Sequence, residues 1–217
     1  MDQKKLDQQS QHWEINFSNK PEMFGLEPSI SAQKSLKIFK DQNISKIIEL
    51  GAGLGRDTIY FAKNSIHVEA LDYSVSGIKR IKQKVKDNSL SELISTRVFD
   101  IRNAIPFRDN SIEVFYSHML YCMALTNDEL NKLNNEIHRV LKPGGINIYT
   151  VRQIKDGDYQ RGVHRGEDLY ENDGFIVHFF SKNKVKSLLS GFKNILIEEF
   201  EEGSFPRRLY FVVNKKL

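Results

Sequence analysis

Glycines 51, 53 and 55 follow directly on an apolar run, Lys46-Ile47-Ile48-Glu49-Leu50, and lead into an amphipathic segment that opens with Arg56-Asp57. Strand, tight turn, helix is the order by which an α/β sheet brings its backbone close to a nucleotide and aims helix-start N–H groups at it. Glycine serves there because a side chain would obstruct the turn or the ligand. A dinucleotide fingerprint, G-x-G-x-x-G, needs glycine at position 56, and the residue is Arg56. The turn is instead G-x-G-x-G, preceded by an acid, Glu49. A second acid, Asp72, lies 21 residues after Gly51 and closes the next predicted strand. A carboxylate at that point can accept two hydrogen bonds from ribose hydroxyls. Ser74 is already a good cap for the following helix, which leaves Asp72 for a ligand.

These residues need elements to position them. Pro28-Ser29 introduces a helix with Ile30, Leu36 and Phe39 as its apolar contacts, ending near Asp41-Gln42-Asn43. Strands are predicted over 46–50, 66–71, 94–99, 112–117 and 146–151. Helices follow the glycine turn (Ile59, Tyr60, Phe61, Ala62) and Ser74 (Ile78, Ile81, Val85). Another follows a capping box, Thr126 with Glu129, and carries Leu130, Leu133, Ile137, Val140 and Leu141 on one stripe. Pro143 stops that helix and Gly144-Gly145 turns the chain into the fifth strand. Ser181 caps a helix with Val185, Leu188 and Leu189. Residues 194–200 and 208–213 read as a closing hairpin joined by Glu201-Glu202-Gly203-Ser204-Phe205-Pro206.

Two stretches resist this reading. Residues 1–28 are polar with isolated aromatics, and they form a separate N-terminal lid or anchor ahead of the domain, 29–217. Trp13 and Phe24 either cover a ligand or fasten the segment to the core; Phe17 reads as a fastener. Residues 152–175 are long for a strand-to-helix connection and read as an inserted loop on the ligand side of the sheet. Phe175–Phe180 is a short apolar extended run.

The turn Glu-Leu-Gly-Ala-Gly-Leu-Gly at 49–55, the acid at Asp72, Asp100-Ile101 after the third strand, and Arg139-Val140-Leu141-Lys142-Pro143-Gly144-Gly145 before the fifth fall in one order. That order resembles the class I S-adenosylmethionine (SAM)-dependent methyltransferases. The early Trp and the Gly55-Arg56-Asp57-Thr58 continuation look loosely similar to the tellurite-resistance and thiopurine-type members. The resemblance implies a Rossmann-like α/β fold with a seven-stranded sheet, order 3-2-1-4-5-7-6, last strand antiparallel, helices on both faces. It implies SAM as cofactor, with Glu49, Gly51, Ala52, Gly53 and Gly55 at its methionine part. Asp72 would hold the ribose, with Tyr73 also among the cofactor-binding residues, Asp100 and Ile101 would lie at the adenine, and Ser117 and His118 beside the sulfonium and amino group.

The segment after the fourth strand borders the methyl group in this fold. His118 is therefore the candidate base, with a structural hydrogen bond as its competing role. Tyr121 either orients the acceptor or fills the core. Arg152, His164 and Arg165 can bind an anionic group on the acceptor or lie on a solvated loop. Cys122 reads as a small buried residue. A sulfonium methyl is already activated, so in-line positioning is the main catalytic demand.

Composition narrows the partners. The net charge is +4 and the isoelectric point about 9.0, but lysines and acids are interspersed and no aromatic–basic stripe occurs, so the reading is against nucleic acid as a partner. No run is long enough to span a membrane, and the polar start lacks a signal-peptide core. One cysteine suits a reducing cytoplasm. The six histidines show no metal spacing. The leading reading is a methyltransferase acting on a small molecule. A protein or RNA substrate, or SAM binding without catalysis, is the alternative; the oligomeric state is open.

Overall fold

Apolar runs buried on both faces build the sheet. In the computed structural model, which describes residues 2–203 and 207–217, seven strands run in the order β3-β2-β1-β4-β5-β10-β9. They are β1 (Lys46–Leu50), β2 (His67–Asp72), β3 (Ile94–Val98), β4 (Ile112–Ser117), β5 (Leu141–Arg152), β9 (Phe192–Glu202) and β10 (Arg207–Lys216). The first five pair in parallel; β10 is antiparallel to both β5 and β9. This is the sheet order expected from the sequence. The hairpin strands are longer than expected, and Ser204, Phe205 and Pro206 of the expected turn lie outside the described residues.

The two-residue period of a strand divides the core. Ile48, Leu50, Tyr149 and Val151 face one layer, with Leu133 and Ile137 of α6 (Asn127–Val140) and Val185 of α7 (Lys182–Ser187). Ile47, Ile146 and Ile148 face the other, with Phe39 of α3 (Ile30–Asp41), Phe61 of α4 (Arg56–Lys63) and Ile81 of α5 (Val75–Asp87). The expected caps form: Ser29, Ser74 and Ser181 each accept a backbone N–H of the first turn, and Thr126 and Glu129 complete the capping box.

Both stretches that resisted the sequence reading are structured. Residues 1–28 contain two helices, α1 (Gln3–Asp7) and α2 (Gln9–Asn19). The apolar residues of α2 make no continuous stripe. Its hold is tertiary: Phe17 is buried, and Glu14 accepts the Ser74 hydroxyl at 2.6 Å and the Ser76 N–H at 3.1 Å, capping α5 from outside.

The expected loop at 152–175 instead carries strands over its second half. β6 (Val163–Gly166), β7 (Leu169–Asn172) and β8 (Phe175–His178) form an antiparallel meander. The β7–β8 connection is Asp173-Gly174, with φ of 49° and 82°. Positive φ at two successive residues is the demand of the tightest hairpin turns, and Asp-Gly is their signature. That signal was in the sequence; the polar side chains around it obscured it.

Candidate active site

The carboxyl ends of β1, β2 and β4 open on one cleft of about 720 Å³. Its floor is the glycine turn. Gly51, Gly53 and Gly55 have φ of 69°, 55° and 78°, a region that other residues enter at a cost. A Cβ on Gly51 would lie 2.8 Å from Leu120 Cδ1, and one on Gly55 2.6 Å from Ile81 Cγ1. Gly51, Ala52 and Gly53 line the cleft, whereas Gly55 packs the start of α4 against α5. Gly77, which sequence reading passed over, lets α5 approach the turn: a Cβ there would lie 2.7 Å from the Gly53 carbonyl oxygen.

Asp72 stands across the turn. Its Oδ2 accepts the Gly53 N–H and its Oδ1 the Ser74 N–H, both at 2.8 Å. Each oxygen keeps a lone pair for a further donor. Burial pushes this carboxyl up to about 6, against the pull of the two N–H groups. Glu49 is fully buried beneath the turn and accepts the Thr58 hydroxyl at 2.6 Å; burial, with Asp57 nearby, raises its pKa strongly. Tyr73, Phe99 and Ile101 continue the wall. Asp100 departs from the expected placement. Arg102 engages both its oxygens, at 2.6–3.1 Å, and reaches on to Asp7 of α1 at 2.7 Å.

His118 lies in the cleft, with Nδ1 3.0 Å from the Thr150 hydroxyl and Nε2 3.2 Å from Glu202. Thr150 and Glu202 were not picked out from the sequence, because one sits inside a core strand and the other in a run of hairpin acids. Ser117 ends β4 buried, its hydroxyl without a partner among the described residues.

Tyr121 is sequestered in the core, contrary to a catalytic role. Its ring stacks on Tyr149 at 4.1 Å, and its oxygen accepts from Asn147 at 2.9 Å. Burial pushes the neighbouring Cys122 thiol up to about 11, as suits a structural residue.

The expected anion-binding trio is also taken up internally. Arg152 lines the cleft but is buried between Asp156 and Asp158. Arg165 pairs with Glu171, and the His164 ring is 2.9 Å from the Glu167 carbonyl.

Two segments far apart in sequence roof the cleft. Trp13 packs against Phe24 at 6.2 Å and Phe175 at 4.8 Å between centroids, and all three line it. Phe17 is the fastener, its ring 3.5 Å from a Cβ built on Gly53. Gln9 joins α2 to the meander, donating to the Gly174 carbonyl at 2.9 Å and accepting the Ile176 N–H at 3.1 Å. Arg56 donates to the Phe24 carbonyl at 3.2 Å and lies 3.4 Å from Glu202. Among the described residues, no helix is long and apolar enough to cross a membrane.

Residues 48–149 match a family described as a methyltransferase domain. A phosphoethanolamine N-methyltransferase of wheat (Triticum aestivum) is 31% identical over 153 residues, 70% of this chain and 28% of the relative. A tRNA N(3)-cytidine methyltransferase of zebrafish (Danio rerio) is 25% identical over 157 residues, 67% of this chain and 43% of the relative. The chain thus spans under half the length of either. The solved 1,6-didemethyltoxoflavin-N1-methyltransferase of Burkholderia thailandensis, with bound 1,6-didemethyltoxoflavin and S-adenosylhomocysteine, superposes with a TM-score of 0.73 at 14% identity. The match covers 95% of this chain and 86% of that one, and it shows a shared fold. The domain match, the sheet order and the glycine turn agree: residues 48–149 are a methyltransferase domain on a Rossmann-like sheet and resemble the class I SAM-dependent methyltransferases.

Proposed function

We propose that this protein transfers the methyl group of SAM to a small-molecule acceptor. The cleft suits SAM in two ways: the backbone of Gly51 and Gly53 lines its floor, and Asp72 keeps two free lone pairs opposite it. Gly51, Ala52 and Gly53 would hold the methionine part, Asp72 the ribose hydroxyls, and Tyr73, Phe99 and Ile101 the adenine. When bound, SAM supplies an electrophilic methyl that needs no further activation. The chain's own residues orient the acceptor and exclude water. In-line positioning of this kind can supply roughly 7–11 kcal/mol.

The observation that carries the small-acceptor reading is the roof. Trp13 and Phe24 from the N-terminal segment and Phe175 from the meander cover the cleft, joined through Gln9. Residues 1–28 act in this reading as a lid, and Met119 and Met123 offer adaptable apolar contacts below it.

The test is transfer of labelled methyl from SAM into a size-fractionated extract of the source cells. Label is expected in the small-molecule fraction. Label confined to RNA or protein would overturn the acceptor assignment. Absence of label together with absence of S-adenosylhomocysteine binding by calorimetry would overturn the enzymatic reading itself.

A further inference from the structure

His118 does not stand alone in the cleft. Thr150, near the end of β5, accepts the Met119 N–H at 2.8 Å and lies 3.0 Å from His118 Nδ1. His118 Nε2 lies 3.2 Å from Oε2 of Glu202, the last residue of β9. The other carboxylate oxygen accepts the Ile30 N–H at 3.2 Å and lies 3.4 Å from Arg56 Nη2.

The donors and acceptors in this chain can be assigned. A carboxylate only accepts, so Nε2 carries the ring proton. Nδ1 of the neutral ring is then an acceptor, and the Thr150 hydroxyl donates to it. Thr150 is free to do so, because the Met119 N–H occupies a lone pair of its oxygen and not its proton. Burial would raise the Glu202 pKa, but the His118 hydrogen bond, the charge His118 carries when protonated, the charge of Arg56 and the Ile30 N–H outweigh it and hold the carboxyl below the usual glutamate range. Glu202 is therefore an anion aimed into the cleft. Its Oε1 is filled by Ile30 and Arg56, and its Oε2 keeps one lone pair.

This arrangement reassigns the role expected of His118. Both ring nitrogens are engaged, so the imidazole presents no lone pair to an acceptor. We infer that Thr150 and His118 are positioning residues for Glu202, whose carboxylate accepts an N–H hydrogen bond from a neutral amine-type acceptor. The inference rests on the methyltransferase reading and names its substrate class: a nitrogen nucleophile that carries at least one N–H.

The nitrogen lone pair forms the new N–C bond while the C–S bond breaks and leaves its electron pair on sulfur. The N–H stays on nitrogen during this step, and positive charge grows there. A fixed carboxylate against that N–H binds the transition state more tightly than the ground state. A thiolate, carboxylate or phosphate acceptor meets repulsion from the same group. Its expected counter-cations, Arg152 and Arg165, are already paired with acids.

Two readouts test this. The first is nitrogen-15 NMR of the His118 ring at pH 8 in the full chain, with and without S-adenosylhomocysteine. Wild type is expected as a single Nε2–H tautomer held by Glu202; Thr150→Ser keeps it with Nδ1 hydrogen-bonded, and Thr150→Val keeps the tautomer but moves the Nδ1 resonance to that of an acceptor nitrogen without a donor. An Nδ1–H ring, or a free-imidazole mixture in wild type, overturns the positioning chain.

The second uses labelled SAM with the small-molecule extract fraction. Glu202→Gln is expected to lower transfer about 100-fold or more while S-adenosylhomocysteine affinity changes less than about 3-fold. The label is expected on nitrogen. Wild-type transfer by Glu202→Gln, or label on sulfur or oxygen, overturns this inference and leaves the methyltransferase reading intact. Loss of both cofactor binding and labelling in wild type overturns that reading and this inference with it.

Discussion

Asp72→Asn removes the charge that the proposed ribose contact requires and keeps the shape. In the folded protein one Asp72 oxygen accepts from Gly53 and the other from Ser74, both at 2.8 Å. An amide can serve only one of these N–H groups and turns its own NH2 toward the other. The cost of one unsatisfied buried donor is about 1–3 kcal/mol. For a chain of this size Tm falls by about 2–4 °C per kcal/mol. Binding loses charge-assisted hydrogen bonds worth about 1.5–3 kcal/mol, so Kd for S-adenosylhomocysteine should rise about 10- to 150-fold. Calorimetric titration at pH 7.5 measures it. Wild type adds a second check, since the hydroxyls donate more strongly to ionised Asp72, whose pKa is about 6, than to its protonated form. Affinity should be level above pH 7 and fall as pH drops through 6. The sign for stability is opposite. This folded pKa lies above the unfolded value of 3.8, so the contribution is present below 3.8 and is lost as pH rises through 6. A variant with lowered Tm but wild-type affinity would show that Asp72 only builds the turn.

Tyr121→Phe keeps the stack on Tyr149 and removes the bond from Asn147; methyl transfer should match wild type while stability falls by about 1 kcal/mol in urea unfolding. A large loss of transfer at unchanged fold would return Tyr121 to a catalytic role. Glu14→Ala removes the outside cap on α5 and should cost about 1–2 kcal/mol. Trp13, the single tryptophan, should then report a loosened roof by a red-shifted emission; an unchanged spectrum would refute Glu14 as the anchor. Gly55→Ala places a Cβ 2.6 Å from Ile81 at φ 78° and should destabilise by about 2 kcal/mol or more in thermal unfolding. A stability loss under 0.5 kcal/mol would contradict the close approach of α4 and α5.

The seven-stranded sheet and the floor of the cleft were legible because their signals are local. An apolar run of strand length, glycines where φ must be positive, serine or threonine at helix starts and Pro-Gly-Gly after α6 each state a backbone conformation within a few residues. Asp72 was legible for the same reason, as an acid at a strand end whose neighbour Ser74 already served as cap. The Asp173-Gly174 hairpin was equally local and was obscured only by its polar surroundings.

The roof and the polar chain behind it are different in kind. α2 has no apolar stripe of its own and is held by Phe17, by Glu14 on a helix 60 residues away in sequence, and by Gln9 on the meander. Arg152 carries the same charge in any conformation; only the folding of Asp156 and Asp158 around it decides that it holds the structure. Thr150, His118 and Glu202 come from three strand ends that become neighbours when β10 carries the hairpin back against β5. Residue types and near-neighbour spacing determined the sheet, the turn and the acid that ends β2 beside it. Which side chains stand free and which neutralise one another depends on contacts between distant segments, and the tertiary structure alone decided that.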